Sequence, residues 1–200
     1  MRANRLSALA AIAMLGALVA VPLRAQFDPV FDFIPLGGRS LLAQVFESKP
    51  PAAEVRALLT AKRTREEWIE YLKGRSKVIA AVQGLNEQEL LTLADYMSFN
   101  MPLPVARVPA DPAKADWQKI LPHDGRDLAL EYCQSCHIIT VTVTQDRTKA
   151  HWLGTMNKPS HVEIKLTPQE REALASYLVL NAGIPIDLIP KELRAGGASY

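Results

Sequence analysis

The apolar positions of this chain recur with helical spacing through most of its length. After Asn86, the side chains of Leu90, Leu93, Ala94 and Met97 fall three and four apart, on one face of a helix. After Thr167, Leu174, Tyr177 and Leu178 follow the same spacing. Asn86 and Thr167 stand where N-caps belong, and acidic residues follow each in the first turn, where the helix dipole favours them. Asn181-Ala182-Gly183, then Pro185, is a stop signal for the last helix; Asn100 and Pro102 do the same for its counterpart. Strand-like residues are confined to Ile138–Thr144, which fits a short strand or an extended loop. The pattern predicts an all-α fold.

Proline divides that pattern. Pro102, Pro104, Pro109 and Pro112 punctuate residues 101–113, which read as an extended Pro-rich linker between one helical half, residues 26–100, and another, residues 114–200. The halves share landmarks in the same order. Arg63-Thr64 and Trp68 match Arg147-Thr148 and Trp152; Leu85 and Glu89 match Leu166 and Glu170. Leu93-Ala94 and Tyr96 match Leu174-Ala175 and Tyr177, while Gly38-Arg39 and Leu41 match Gly125-Arg126 and Leu128. Ordered landmarks of this kind point to an internal duplication.

The N-terminus changes the reading of charge. Met1–Arg5 is short and basic, Leu6–Val21 is almost unbroken apolar sequence, and Ala25 closes the segment as a small residue. This is the layout of a secretory signal peptide over residues 1–25, cleaved after Ala25. The apolar run is shorter than the roughly 20 residues of a spanning helix, so a membrane is involved only if the segment stays uncleaved. Removing Arg2, Arg5 and Arg24 turns 23 basic against 21 acidic residues into 20 against 21. The apparent basicity belongs to the targeting segment, and nothing in the mature chain argues for nucleic-acid binding. With only two cysteines, the chain is not a disulfide scaffold, and two small domains would each need their thin cores reinforced.

Those two cysteines carry the chemistry. Cys133-Gln134-Ser135-Cys136-His137 is a C-x-x-C-H sequence, the attachment pattern of c-type haem. Two thiols three apart reach the two vinyl groups of one porphyrin and form thioethers, and the histidine that follows meets the iron. Three other readings compete. A disulfide needs no histidine, a zinc site wants further ligands, and His151 and His161 are spaced unlike a zinc pair. A thioredoxin-like redox pair belongs in a βαβ setting.

With this motif, Gly125 ahead of it, the Trp152 segment and the Leu166-Thr167-Pro168-Gln169-Glu170 helix start, residues 115–185 resemble a class I c-type cytochrome domain. The Lys-x-x-Trp segment ending at Trp152, followed by a short loop and the Leu-Thr-x-x-Glu helix start, resembles haem domains serving periplasmic dehydrogenases, such as sulfite dehydrogenases and quinohaemoprotein amine dehydrogenases. The resemblance implies a cytochrome c-like helical fold in two tandem copies, only the second with haem. It implies one covalent haem c on Cys133 and Cys136, with His137 as proximal iron ligand. It further implies a periplasmic electron carrier rather than an enzyme, paired with a redox partner such as a periplasmic dehydrogenase or a respiratory acceptor. A haem peroxidase or small-ligand sensor is the alternative if the sixth iron position stays open.

The sixth ligand departs from the family pattern, which places Met about two turns past the Trp, where this chain has Pro159. Met156, one turn past Trp152 and on the same helix face, is the leading candidate, with His161 as the alternative. In the first half, Phe46, Lys49 and Pro50 stand at the places of Cys133, Cys136 and His137, so that half is expected to lack haem. A void of porphyrin size cannot persist, and Phe46 with the residues between Trp68 and Leu85 are the expected filling.

Overall fold

The computed structural model describes residues 29–161 and 164–194, so the signal segment lies outside the described residues. The first half carries α1 (Gly38–Glu47), α2 (Ala52–Thr60), α3 (Arg65–Arg75), α4 (Ala80–Gln83) and α5 (Glu87–Asn100). The second carries α6 (Trp117–Ile120), α7 (Gly125–Leu128), α8 (Thr140–Val143), α9 (Lys149–Met156) and α10 (Pro168–Asn181). No strand occurs among the described residues, as the all-α expectation requires. None of their helices is long and apolar enough to cross a membrane.

The long helices start where the sequence places their caps. Asn86 and Glu89 form a reciprocal capping box at α5, Thr167 and Glu170 at α10, and Thr64 and Glu67 at α3. Each box satisfies two of the four N–H groups that a helix start leaves open, and losing such a cap costs about 1 kcal/mol. Gly183 takes the left-handed conformation (φ 80°) just beyond the end of α10.

Residues 138–144 form neither the short strand nor the extended loop that their composition suggests. Thr140–Val143 is helical, as α8. Ile139 and Val143, four apart, are both essentially fully buried on one face of that turn. Burial of that face outweighs the weak preference of β-branched residues for strands.

Two apolar clusters form the interior. The first gathers Leu42, Leu58, Trp68, Leu72, Leu93 and Met97; the second gathers Leu128, Ile139, Trp152, Leu174 and Leu178. The residues at 101–113 begin inside the first cluster, since Met101 and Leu103 are buried there and the Leu103 N–H donates to the Leu59 carbonyl at 2.8 Å.

Each cluster is completed by the segment that precedes the other half's first long helix. Trp117 and Leu121, ahead of α7, belong to the first cluster; Phe31 and Ile34, ahead of α1, belong to the second. The polar contacts cross in the same reciprocal way. Tyr96 on α5 donates its hydroxyl to the Pro122 carbonyl at 2.9 Å, and Tyr177 on α10 donates to the Pro35 carbonyl at 2.6 Å. Arg39 donates to the Gln118 carbonyl at 3.3 Å, and Arg126 to the Phe31 carbonyl at 3.1 Å.

Helix α1 crosses α5, and α7 crosses α10, each at a glycine. A methyl group on Gly38 would lie 2.1 Å from the Tyr96 Cβ, and one on Gly125 would lie 2.1 Å from the Tyr177 Cβ. Only glycine allows backbones that close. Helices α3 and α9 pack on α5 and α10 respectively, and α5 packs on α10 across the middle. There Gln88 donates to the Asn181 side-chain carbonyl at 3.0 Å.

Candidate functional site

Helix α7 does not end cleanly. It passes into a π-turn over Ala129–Cys133, closed by the Gln134 N–H on the Ala129 carbonyl at 3.3 Å. Such wide turns recur at functional sites because the extra residue re-aims the side chains that follow. Leu128, Ala129 and Leu130 are buried and anchor this element. The next turn is tight: the His137 N–H donates to the Cys133 carbonyl at 3.2 Å, and the Ser135 hydroxyl to the Tyr132 carbonyl at 2.7 Å. Cys133, Cys136 and His137 are thereby wound onto one turn.

All three line a single cleft. Cofactor sites are mostly apolar. Here Trp152 and Met156 from α9, Leu174 and Leu178 from α10, and Ile164 and Leu166 before α10 provide the apolar wall. Met156 and His161 both reach this cleft, so the structure brings both sequence-level candidates for the sixth ligand to the same place. The His161 Nδ1 lies 3.1 Å from the Ser160 hydroxyl. His151, next to Trp152, is exposed instead.

The chemistry of the two cysteines discriminates among the competing readings. Both are free thiols, Cys133 half-buried and Cys136 exposed. Burial pushes the Cys133 thiol up to about 11, with the Thr142 hydroxyl pulling back and Cys136 adding to the rise. A thiol held that high is a poor thiolate, which disfavours a redox pair. Among the described residues, no three His, Cys, Asp or Glu side chains converge as a metal-binding group. Thioether formation leaves no charge to bury and suits the same site.

The indole N–H groups of Trp152 and of its counterpart Trp68 are alike in their surroundings. The Trp152 indole N–H is shielded from solvent with no hydrogen-bond acceptor among the described residues, and the ring is 4% exposed. The Arg147 guanidinium lies 5.2 Å from that ring's centre. Two thiols and an imidazole on one turn, facing an apolar wall, fit the cofactor that the C-x-x-C-H sequence implies.

In the matching region of the first half, Phe46, Lys49 and Pro50 line a groove with Trp117, while the apolar positions behind it are packed. Phe46 packs its ring 4.1 Å from that of Trp117. Leu72, one turn past Trp68 as Met156 is one turn past Trp152, is fully buried, and so is Ile79 on the stretch between Trp68 and Leu85. Sequence reading found Phe46 and this stretch but missed Trp117 and the α2 residues Leu58 and Leu59. A tryptophan that follows a proline-rich stretch gave no local hint that it packs into the preceding half.

No family model, curated protein or solved structure matches this chain.

Proposed function

We propose that this chain is an exported c-type cytochrome with one covalent haem, relaying single electrons rather than catalysing a reaction. The observation that carries the reading is the convergence of Cys133, Cys136 and His137 on one apolar cleft that also receives Met156 and His161. A haem held there supplies a one-electron Fe(III)/Fe(II) couple. Cys133 and Cys136 hold the ring through thioethers, and His137 ligates the iron from the proximal side. Met156 is the proposed sixth ligand, whose thioether favours the reduced iron and raises the potential; an imidazole from His161 would lower it. The Trp152, Leu174 and Leu178 side chains would exclude water from the ring.

We read the two halves as tandem copies of a cytochrome c-like helical unit, with the cofactor lost from the first. Support comes from the paired contacts: the glycine crossings at Gly38 and Gly125, the tyrosine hydroxyls of Tyr96 and Tyr177, and the arginines Arg39 and Arg126, each pair making corresponding bonds. The repeat α1–α3–α5 and α7–α9–α10 has the same packing partners. Phe46 and Leu72 occupy the places of a haem-attaching cysteine and a ligand methionine, consistent with a unit that has closed over its lost ring. The signal-like segment assigns the protein to the periplasm, where it would exchange electrons with a dehydrogenase or a respiratory acceptor.

The experiment is expression with a c-type haem maturation system. The wild type should show haem-linked peroxidase staining on a denaturing gel and the optical spectrum of a low-spin c-type haem, at one haem per chain. Cys133→Ala with Cys136→Ala should abolish the stain and leave the second half unfolded or degraded. A double variant that stays folded and stable without haem would refute the structural part of the reading, and an unstained wild type would refute it altogether. Rapid carbon monoxide binding by the reduced wild type would turn the assignment toward a ligand sensor or peroxidase.

A further inference from the structure

We propose that Arg171 is a positioning residue that sets the sixth ligand of the haem, an inference that rests on the haem reading above. Arg171 lies on α10 and reaches back across the cleft wall with both terminal nitrogens. One donates to the Met156 carbonyl at 2.6 Å and the other to the Ile164 carbonyl at 2.9 Å. These two carbonyls bracket the stretch of chain that carries both ligand candidates, Met156 and His161.

Among the described residues, the other hydrogen bonds of that stretch are local. Met156 is the last residue of α9, where carbonyls have no partner within the helix. Beyond it, the turn at Pro159–His161 is held by the His161 N–H on the Lys158 carbonyl at 2.8 Å, and the Ile164 N–H returns to the His161 carbonyl at 3.1 Å. Both are local bonds that fix the turn but not its place against α10. The planar guanidinium fork ties the two ends to the same point on a rigid helix, and hydrogen bonds from a charged donor are the strong ones.

The first half provides an internal control. The residue of α5 that matches Arg171 is Leu90, and the residue of α3 that matches Met156 is Leu72. A half with no ligand candidate has no clamp, although its helices cross and pack on the same pattern. The arginine is therefore not a requirement of the helix arrangement. It accompanies the ligand loop.

The test uses the full-length protein matured with haem, comparing wild type with Arg171→Leu, which copies Leu90, and Arg171→Lys. A lysine ammonium serves one carbonyl at a time and should act as an intermediate. Glu172→Gln, next to Arg171 on α10, breaks the 2.9 Å pair with Lys149 at the start of α9 and is the control. The readouts are the sulfur-to-iron charge-transfer band of the oxidised protein, the carbon monoxide binding rate of the reduced protein, the haem-to-protein ratio and the helix content. Arg171→Leu is expected to keep its haem and helix content, weaken or lose the band, and bind carbon monoxide at least tenfold faster than wild type. Arg171→Lys should fall between them, and Glu172→Gln should match wild type. If Arg171→Leu fails to fold, the lysine variant alone decides, since a purely structural role predicts an unchanged band and rate for it. An Arg171→Leu protein with the wild-type band and carbon monoxide rate overturns the proposal and leaves the haem reading standing. A wild type that takes up no haem overturns both.

Discussion

Adding one methyl group at a helix crossing is the sharpest test of the fold. In Gly125→Ala the new Cβ would lie 2.1 Å from the Tyr177 Cβ, 2.8 Å from its Cγ and 3.0 Å from the Ala173 carbonyl oxygen. Ordinary carbon contacts need about 3.5–4.0 Å, so α7 must retreat from α10 by roughly 1.5 Å. Neither side can yield locally, since two of the three atoms stand at the root of a side chain and the third is backbone. Overpacking of this kind costs about 1–3 kcal/mol, and a gap of 1 Å or more along the crossing forfeits a large part of each contact's attraction. Alanine returns at most about 1 kcal/mol of helix propensity, and less at a first-turn position such as this one. The net loss expected is about 2 kcal/mol.

Gly38→Ala should lose a similar amount, because its Cβ would meet Tyr96 at the same 2.1 Å and the Thr92 carbonyl at 3.1 Å. Gly74 and Gly154 also lie within helices, but a Cβ there meets nothing within 4 Å. Alanine at either should be neutral or stabilise by up to about 1 kcal/mol. Guanidinium denaturation followed by circular dichroism measures all four. The two crossing variants diverge in a second readout: Gly125→Ala, on the helix that carries the cysteines, should lower the haem-to-protein ratio, while Gly38→Ala should not. The reasoning fails if Gly125→Ala lies within about 0.5 kcal/mol of wild type, or if Gly154→Ala is equally damaging.

Removing the hydroxyl in Tyr177→Phe or Tyr96→Phe takes away the donors to the Pro35 and Pro122 carbonyls, at a cost of about 1–2 kcal/mol each; denaturation midpoints matching wild type for both would refute the crossed-segment account. Burial first, and then the neighbouring Asp124 carboxylate, push Asp127 up to about 8 against the pull of Arg39, whose Nε lies 2.8 Å away. A folded value above the unfolded one means the folded chain holds an extra proton between about pH 4 and 8. Asp127 thus contributes stability that is full below about pH 4 and lost as pH rises through 8, by at most about 1.4 kcal/mol per pH unit. The wild type should therefore lose stability relative to Asp127→Asn between about pH 5 and 8, and parallel pH profiles would contradict the assignment.

What the sequence made legible was local. The caps at Asn86 and Thr167, the stop at Gly183 and the apolar spacing of α5 and α10 are each decided within a few residues, and each stands where it was expected. The C-x-x-C-H run is local as well, and its residues do line the one cleft with Met156 and His161. Residues 138–144 were illegible because burial of Ile139 and Val143 by distant helices, not their own preference, makes that segment helical. The π-turn before Cys133 depends on a single shifted hydrogen bond and has no composition signature. The roles of Trp117, Phe31 and Arg171 needed the fold, because each touches residues far away in sequence.

The exchange of segments ties the two halves together. Residues 114–200 alone do not enclose the second core, since Phe31 and Ile34 belong to it and are 5% and 2% exposed. Burying two such side chains contributes about 3–6 kcal/mol. The Tyr177 and Arg126 bonds to the Pro35 and Phe31 carbonyls add about 1–3 kcal/mol more. The total, about 4–9 kcal/mol, is comparable with the whole stability of a small domain, about 5–15 kcal/mol. A cut at the proline-rich stretch would remove that contribution from the second half and strip Trp117 and Leu121 from the first. A first half without a cofactor is compatible with this arrangement, because Phe46, Leu72 and Trp117 are buried in its core. Loss of that half itself is not, because the helix that leads into Cys133 is seated on residues the first half supplies.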